Sequence, residues 1–349
     1  MTAGELLVEG RALLTEDLEE SPVRIVVRDG IICNIEDLPS NQDTLPWIIP
    51  AFFNAHTHLG DSIAMDMPSK GTLDDLVKPP DGLKHRILQS ASREDLVRGM
   101  RLTLKTMVFG GTAGCADFRE GGTAGVLALR AAAEGIPCTT IVFGRDGGED
   151  IAHGLGISSA RDIPGGLDEL VSRARQAKRL VAFHAGEKDQ EDLDLALEYE
   201  PDLLIHCTHA TRPQLRRIAD LGIPVVVCPR ANWTFRVASS SRHPPVRHLL
   251  TLGSAVLLGT DNVMCVQPDM WREMSFLSTV YRIPARDVLR AAMLGASVFS
   301  RPSFIAEGNR ANFLLIDPRI SNLCLSRDIP RTLVNRAGPA DIVRKVINL

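Results

Sequence analysis

Six residues stand near the ends of four apolar runs. His56 and His58 close IIPAFFNAHTHL, His184 and Glu187 sit in VAFHAGEKD, His206 lies in LLIHCTHA, and Asp261 ends VLLGTDN. Three imidazoles and a carboxylate suit a zinc or iron(II) ion that keeps a position open for water. Such an ion makes hydroxide available near neutral pH. On a strand, residues two apart share a face, so His56 and His58 point the same way. His184 and Glu187 are three apart and would face opposite sides of a continuous strand. They meet only if the strand stops near Ala185 and Gly186 turns the chain. Each residue has a plainer reading: His58 a satisfied polar group, Asp261 a helix cap, His184 and Glu187 a local hydrogen-bonded pair. Gathering all of them at one rim favours chemistry.

That rim requires a particular order of elements. Strand patterns recur at 112–118, 137–144, 154–160, 180–185, 203–208, 224–229 and 255–260, and the run near Pro50 makes eight. Several intervals carry helical patterns, such as LDELVSRARQAKR and RPQLRRIADLG. In SREDLVRGMRLTLKTMVFGG, Ser92 and Asp95 have capping-box spacing, and Gly110-Gly111 ends the helix. About eight βα units over roughly 250 residues describe a (β/α)8 TIM barrel, whose chemistry sits at the C-terminal strand ends. A doubly wound open sheet is the rival, but no GxGxxG follows the first strand. The first fifty residues read as β structure, with a hairpin at Asp29-Gly30. After Phe304 the texture turns to β again, in FLLIDP, TLVNRAG and DIVRKVINL. The expected division is residues 1–49 and 305–349 forming a small β-sandwich beside a barrel over 50–304.

Composition narrows the function. The chain has 349 residues, 44% hydrophobic and 23% charged, with a net charge of −4. It carries no basic run or stacking motif for nucleic acid, no signal-peptide pattern and no membrane-length apolar run. Its seven cysteines are dispersed, with no CxxC pair, so neither a disulfide framework nor a cysteine-rich zinc knuckle is expected. These features lead to a cytoplasmic protein with a small-molecule substrate, compatible with a homo-oligomer.

The motifs resemble the amidohydrolase superfamily, and within it the mononuclear metal-dependent deaminases and their chlorohydrolase relatives. IIPAFFNAHTHL resembles the family's first strand, LLIHCTHA, VVVCPRAN and VLLGTDN its sixth to eighth strand ends, and EGNRANFLLID the return into its β domain. The HAGE wording is also that of the adenosine deaminases. The resemblance implies one divalent metal, zinc first with iron(II) or manganese as alternatives, on His56, His58, His184 and Asp261. It implies that Glu187 shuttles protons and that His206 orients the attacking water or stabilises the charge at the attacked carbon. Ala51 and Asn54 depart from the usual Gly and Asp, at positions that are not ligands. Binuclear relatives bridge two metals with a lysine from the fourth strand. No lysine occurs from Thr106 to Ala177, so a mononuclear site is expected.

The implied reaction is hydrolytic deamination of an aminated purine, pyrimidine or pterin, with release of ammonia. The alternatives are hydrolysis of a cyclic amide, amidine or C–Cl bond by the same site, and an inactive metal-free barrel that only binds. Arg119, Arg145, Arg230, Asn232 and Trp233 follow the second, third and seventh strands and are candidates to hold the substrate, Trp233 by stacking on a planar ring. The segment 60–90, with His85, is a candidate lid. His153, His209, His243 and His248 are expected to be structural.

Overall fold

The computed structural model describes residues 5–39, 45–66, 71–79, 81–163, 165–302 and 304–347. The chain opens with strands β1 (Leu6–Leu14), β2 (Glu19–Arg28), β3 (Ile31–Asp37) and β4 (Trp47–Pro50). Asp29 and Gly30 both take positive φ, 50° and 74°, as a two-residue type I′ turn demands, and Arg28 faces Ile31 across the hairpin. The apolar run ending at His58 is two strands, not one. Trp47–Pro50 belongs to the small sheet, and Ala51 separates it from the first barrel strand.

The barrel strands are β5 (Phe52–His58), β6 (Thr112–Arg119), β7 (Thr139–Gly144), β8 (Gly154–Ile157), β9 (Leu180–Ala185), β10 (Leu203–His206) and β11 (Val225–Val227). The eighth segment comes in two pieces, β12 (Val256–Leu258) and β13 (Asp261–Asn262). All neighbours run parallel. β12 pairs with β11, while β13 pairs with β5, Asp261 opposite Thr57 and Asn262 opposite His58, so the sheet closes into a TIM-like barrel. Asn54 sews that seam: its amide donates to the Thr260 hydroxyl (2.7 Å) and its carbonyl accepts from the Thr260 N–H (3.1 Å). The helix Arg93–Phe109 starts where expected, with Ser92 accepting from the Asp95 N–H (3.0 Å), and Gly110 closes it. Among the described residues no helix is long and apolar enough to cross a membrane.

Strands β14 (Phe313–Ile316) and β15 (Ile342–Val346) return to the first sheet, in the order β15-β14-β4-β1-β2-β3. The described strands of both termini thus share one six-stranded sheet, and the second sheet of the expected sandwich is not among the described residues. Period-two alternation explains why one sheet suffices. Trp47, Ile49, Leu314 and Ile316 join the barrel's core, whereas Ile48, Phe313 and Leu315 point the other way, into a cluster with Val8, Ile25 and Ile32. TLVNRAG, expected as β, is instead the end of the helix Ile329–Arg336. Asp328 caps that helix by accepting from the Arg331 N–H (3.0 Å), and Pro330 sits in its first turn, signals that outweigh two β-branched residues.

Within the candidate lid, residues 67–70 and 80 lie outside the described set. The rest holds a short helix Leu73–Val77 and a helix Leu83–Ser90. His85, expected in a loop, is on the second helix, with its Nε2 3.0 Å from the Val77 carbonyl. Leu76 packs with Ala64 and Met264, and Val77, Leu83 and Ile87 lie against that cluster, which places the segment over the barrel mouth.

Candidate metal centre

Each of the six residues comes from a strand end whose local geometry turns it inward. His56 and His58 lie on the same face at the end of β5, both buried, with ring centroids 4.9 Å apart. His184 ends β9, and its ring lies 4.9 Å from His56 and 5.6 Å from His58. After Ala185 the chain leaves the strand, and Gly186 takes φ 64°. This left-handed turn carries Glu187 back to the mouth. The Gly186 N–H donates to the Asp192 carboxylate (2.8 Å). His206 and Asp261 also adopt left-handed φ, 75° and 64°. Non-glycine residues take that conformation at some cost, which surrounding structure sustains at functional positions. Gly259 completes the packing: a Cβ there would come within 2.7 Å of the His56 Cβ.

The ligand atoms converge. Those of His56, His58 and Asp261 lie within 4.8 Å of one another, and so do those of His56, His184 and His206. His56 Nε2 is 3.2 Å from Asp261 Oδ1, yet both His56 ring nitrogens are buried without a hydrogen-bond partner. A fully buried, unpartnered imidazole is costly in isolation and fits a cation ligand. The other rings are oriented from behind. The Nδ1 of His58 meets Phe118 O (3.1 Å) and Glu120 Oε1 (2.9 Å), and that of His184 meets Ile157 O (2.9 Å). Each leaves Nε2 for a metal, the usual arrangement for ligating histidines.

Protonation agrees. Burial pushes His58 down to about 3, with the nearby Lys84 ammonium adding to it. Burial, then the neighbouring imidazoles, holds His184 well below its ordinary value. Burial likewise lowers His56. These rings are neutral, the state that binds metal. For Asp261, burial would favour the neutral acid, but His56, His206 and His58 outweigh it and hold the carboxyl well below its usual range. Three neutral imidazoles and one carboxylate fit a single divalent ion.

Across the same chamber, Glu187 Oε1 lies 3.7 Å from His206 Nε2, room for a bridging water. Burial raises the Glu187 carboxyl above its ordinary value. His206 Nδ1 donates to Asn232 Oδ1 (3.1 Å), because the Asn232 amide nitrogen is occupied by the Thr208 hydroxyl (2.9 Å). That leaves His206 Nε2 as a lone-pair acceptor facing Glu187. The chamber, about 430 Å³, is lined by His58, His184, Glu187, His206, Asp261, Asn262 and Arg145, among others. A second cavity of about 850 Å³ adjoins it, sharing Arg145, Ser158 and Arg161 in its wall.

The substrate candidates divide. Arg145 faces both cavities, and its Nε and Nη2 are buried without a partner. Arg119 is committed to Glu120 (2.5 Å) and Asp117 (3.3 Å). Arg230 is committed to Glu273 (2.5 Å) and Gln267 O (2.6 Å). Asn232 stands behind His206. Trp233 is not among the residues lining the metal chamber, and its Nε1 donates to the Tyr281 hydroxyl (2.8 Å). Arg119, Arg230 and Trp233, expected as substrate contacts, thus have polar atoms engaged by protein partners, as buried polar groups generally do, while Arg119 also borders the second cavity. His153 and His209 are structural as expected, bonded to the Val142 N–H (3.0 Å) and Val237 O (2.9 Å). The sequence reading missed Lys84, Asp61 and Asp192, which no spacing rule marks, and passed over Glu120 in DFRE.

Comparison with known proteins agrees with this geometry. The Amidohydrolase family model matches residues 47–151 and 151–347. A protein of Methanothermobacter thermautotrophicus named as a putative aminohydrolase is 33% identical, over 98% of this chain and 97% of that one. A 5-methylthioadenosine/S-adenosylhomocysteine deaminase of Halobacterium salinarum is 27% identical over 73% of this chain and 68% of its own. Among solved structures, a Xanthomonas campestris adenosine deaminase with bound zinc superposes with TM-score 0.77 at 16% identity, over 98% of this chain and 91% of that one. On the family match and the full-length relative together, the chain belongs to the amidohydrolase family.

Proposed function

We propose that this barrel mouth hydrolyses an exocyclic amine from an adenine-type nucleoside with a modified 5′ position. Hydrolytic deamination of an aminated heterocycle agrees with the family and with relatives named as deaminases. The observation that carries the reading is the convergence of His56, His58, His184 and Asp261 opposite the Glu187–His206 pair. The narrower substrate class draws on the name of the Halobacterium relative and on the second cavity, which leaves room for more than a base.

His56, His58, His184 and Asp261 would hold one divalent ion, zinc in the first instance. Such an ion, when bound, makes a water acidic enough to ionise near neutral pH. Glu187 takes a proton from the attacking water while the water oxygen bonds to the ring carbon. It delivers that proton to the adjacent ring nitrogen. The remaining proton of the added hydroxyl then passes through Glu187 to the amine as the C–N bond breaks and the C–O bond becomes a ring carbonyl, leaving ammonia. A carboxyl raised by burial suits both directions of transfer. His206, fixed by Asn232, accepts a hydrogen bond from the water and aims its oxygen. Arg145 and Asn262, whose Oδ1 is also buried and unpartnered, are polar groups of the chamber wall that can meet substrate. Further parts of the same reading are a cytoplasmic location and a lid role for residues 60–90.

The test is ammonia release across adenine nucleosides, other purines, pyrimidines and pterins, using protein of measured metal content. One compound should yield ammonia and its ring carbonyl in equal amounts. Glu187→Gln should lower kcat by about 10²–10⁴-fold without loss of metal. Silence across the panel from metal-loaded protein would move the reading to C–Cl or cyclic-amide hydrolysis.

A further inference from the structure

The segment over the mouth sends one charged side chain into the interior. Lys84, on the helix Leu83–Ser90, is 2% exposed. Its Nζ lies 2.8 Å from Glu120 Oε1 and 3.2 Å from Asp61 Oδ2. The same Glu120 oxygen accepts from His58 Nδ1 (2.9 Å), and the other Glu120 oxygen takes Arg119 Nη2 (2.5 Å). Glu120 is therefore clamped by two cations and passes its negative charge to one histidine. Burial alone would lower the Lys84 ammonium, but Asp61 and Glu120 outweigh it and keep it charged. Removing one partner of such a buried cluster leaves the opposite charge uncompensated, so the state of Glu120 depends on Lys84. Here the partner is the carboxylate behind a metal-facing imidazole.

We infer that Lys84 is a positioning residue for the metal, acting through Glu120 on His58, and that it ties the covering segment to the metal's ligand set. A carboxylate that accepts from a ligand's distal N–H fixes the ring and raises its basicity, and loss of such partners costs about 10–100-fold in metal affinity or activity. Lys84 stands one step further out. It fixes which way the Glu120 oxygen points, and it makes the helix that carries it part of the site. The inference rests on the metal reading above.

Three variants test it: Lys84→Met, Lys84→Arg, and Asp61→Asn/Lys84→Met. The double variant removes the Asp61 charge along with the cation, so that of the two carboxylates facing Lys84 only Glu120 keeps its charge, and Arg119 and His58 still hold it. Metal affinity is read by chelator competition, ligand geometry by the visible spectrum of cobalt-substituted protein, and folding by the Tm of metal-free protein. The expected result for the double variant is a metal-free Tm near that of the wild type, metal affinity about tenfold weaker, and an altered cobalt spectrum. Lys84→Arg should recover part of the affinity. Unchanged metal affinity and spectrum in the double variant would overturn the inference. So would a raised KM with unchanged metal affinity, which would make Lys84 a substrate contact. If the wild-type protein itself binds no divalent metal, the proposed function fails first, and the two failures are distinct.

Discussion

Two corners of the barrel mouth bury an arginine against a glutamate and use the pair differently. At the seventh strand end, Glu273 accepts the Arg230 N–H (2.9 Å) and Nε (2.5 Å), and neither group touches a metal-facing residue. At the first and second strand ends, Arg119 and Lys84 face Asp61, Asp117 and Glu120, all buried. Formal charge there is two positive against three negative, and the excess is directed at His58 Nδ1. Burial pushes Asp61 up to about 7, with Lys84 pulling the other way. A closed pair whose donors are consumed supports the fold. An open network that ends on a ligand supports chemistry. Arginine alone does not distinguish the two.

The sharpest test of that contrast is Arg230→Met. It leaves Glu273, which is fully buried, without its cation, and breaking a buried pair in this way costs about 3–5 kcal/mol. Thermal or urea unfolding should show that loss, while kcat per bound metal stays near the wild-type value. Replacing both partners, Arg230→Met with Glu273→Leu, should recover most of the stability, since well-packed apolar residues often substitute for a buried pair without loss. A large kcat defect in the double variant would break the contrast and give the seventh corner a catalytic part.

The seventh corner does reach the chemistry once, by a neutral route. Asn232→Leu would free His206 Nδ1 and leave the Thr208 hydroxyl unpaired. A loss of about 1–3 kcal/mol should appear as a ten- to hundredfold lower kcat at unchanged metal content. Metal loss instead would make His206 a ligand, in the triad with His56 and His184 that the structure also allows. Arg145→Met should raise KM by about tenfold and leave kcat and stability close to wild type. Its free guanidinium atoms are aimed at the cavity and hold nothing in place.

The candidate metal residues were legible in the sequence because strand ends have fixed geometry. HTH on one strand, a glycine after HA, a histidine on the sixth strand and an aspartate on the eighth need only the barrel to be assembled correctly. The rest depends on how distant segments dock. Lys84 lies 26 residues past His58 on a helix whose placement comes from Leu76, Val77 and Met264 packing, a tertiary matter with no periodic signal. Arg230 and Trp233 follow a strand end just as Arg145 does. Only the long-range neighbours Glu273 and Tyr281 decide that two of the three turn away. Ile329–Arg336 escapes a reading of TLVNRAG for a different reason: the Asp328 cap that starts the helix lies before that stretch, while Thr332 and Val334 within it are β-branched.

Trp233 carries the smallest effect and checks the comparison from its quiet side. Its indole N–H donates to Tyr281, whose hydroxyl in turn donates to His243 O (2.8 Å), and its ring meets Phe276 edge-on at 6.1 Å. Trp233→Phe keeps an aromatic ring and removes one hydrogen bond, so stability should fall by about 0.5–1.5 kcal/mol. KM should not move, because the indole is committed to the framework and does not line the metal chamber. A severalfold rise in KM with intact stability would restore Trp233 as a ring-stacking group. It would also require the short helix Pro229–Thr234 after the seventh strand to swing inward when substrate binds, making that corner the mobile one and the Lys84 corner the fixed one.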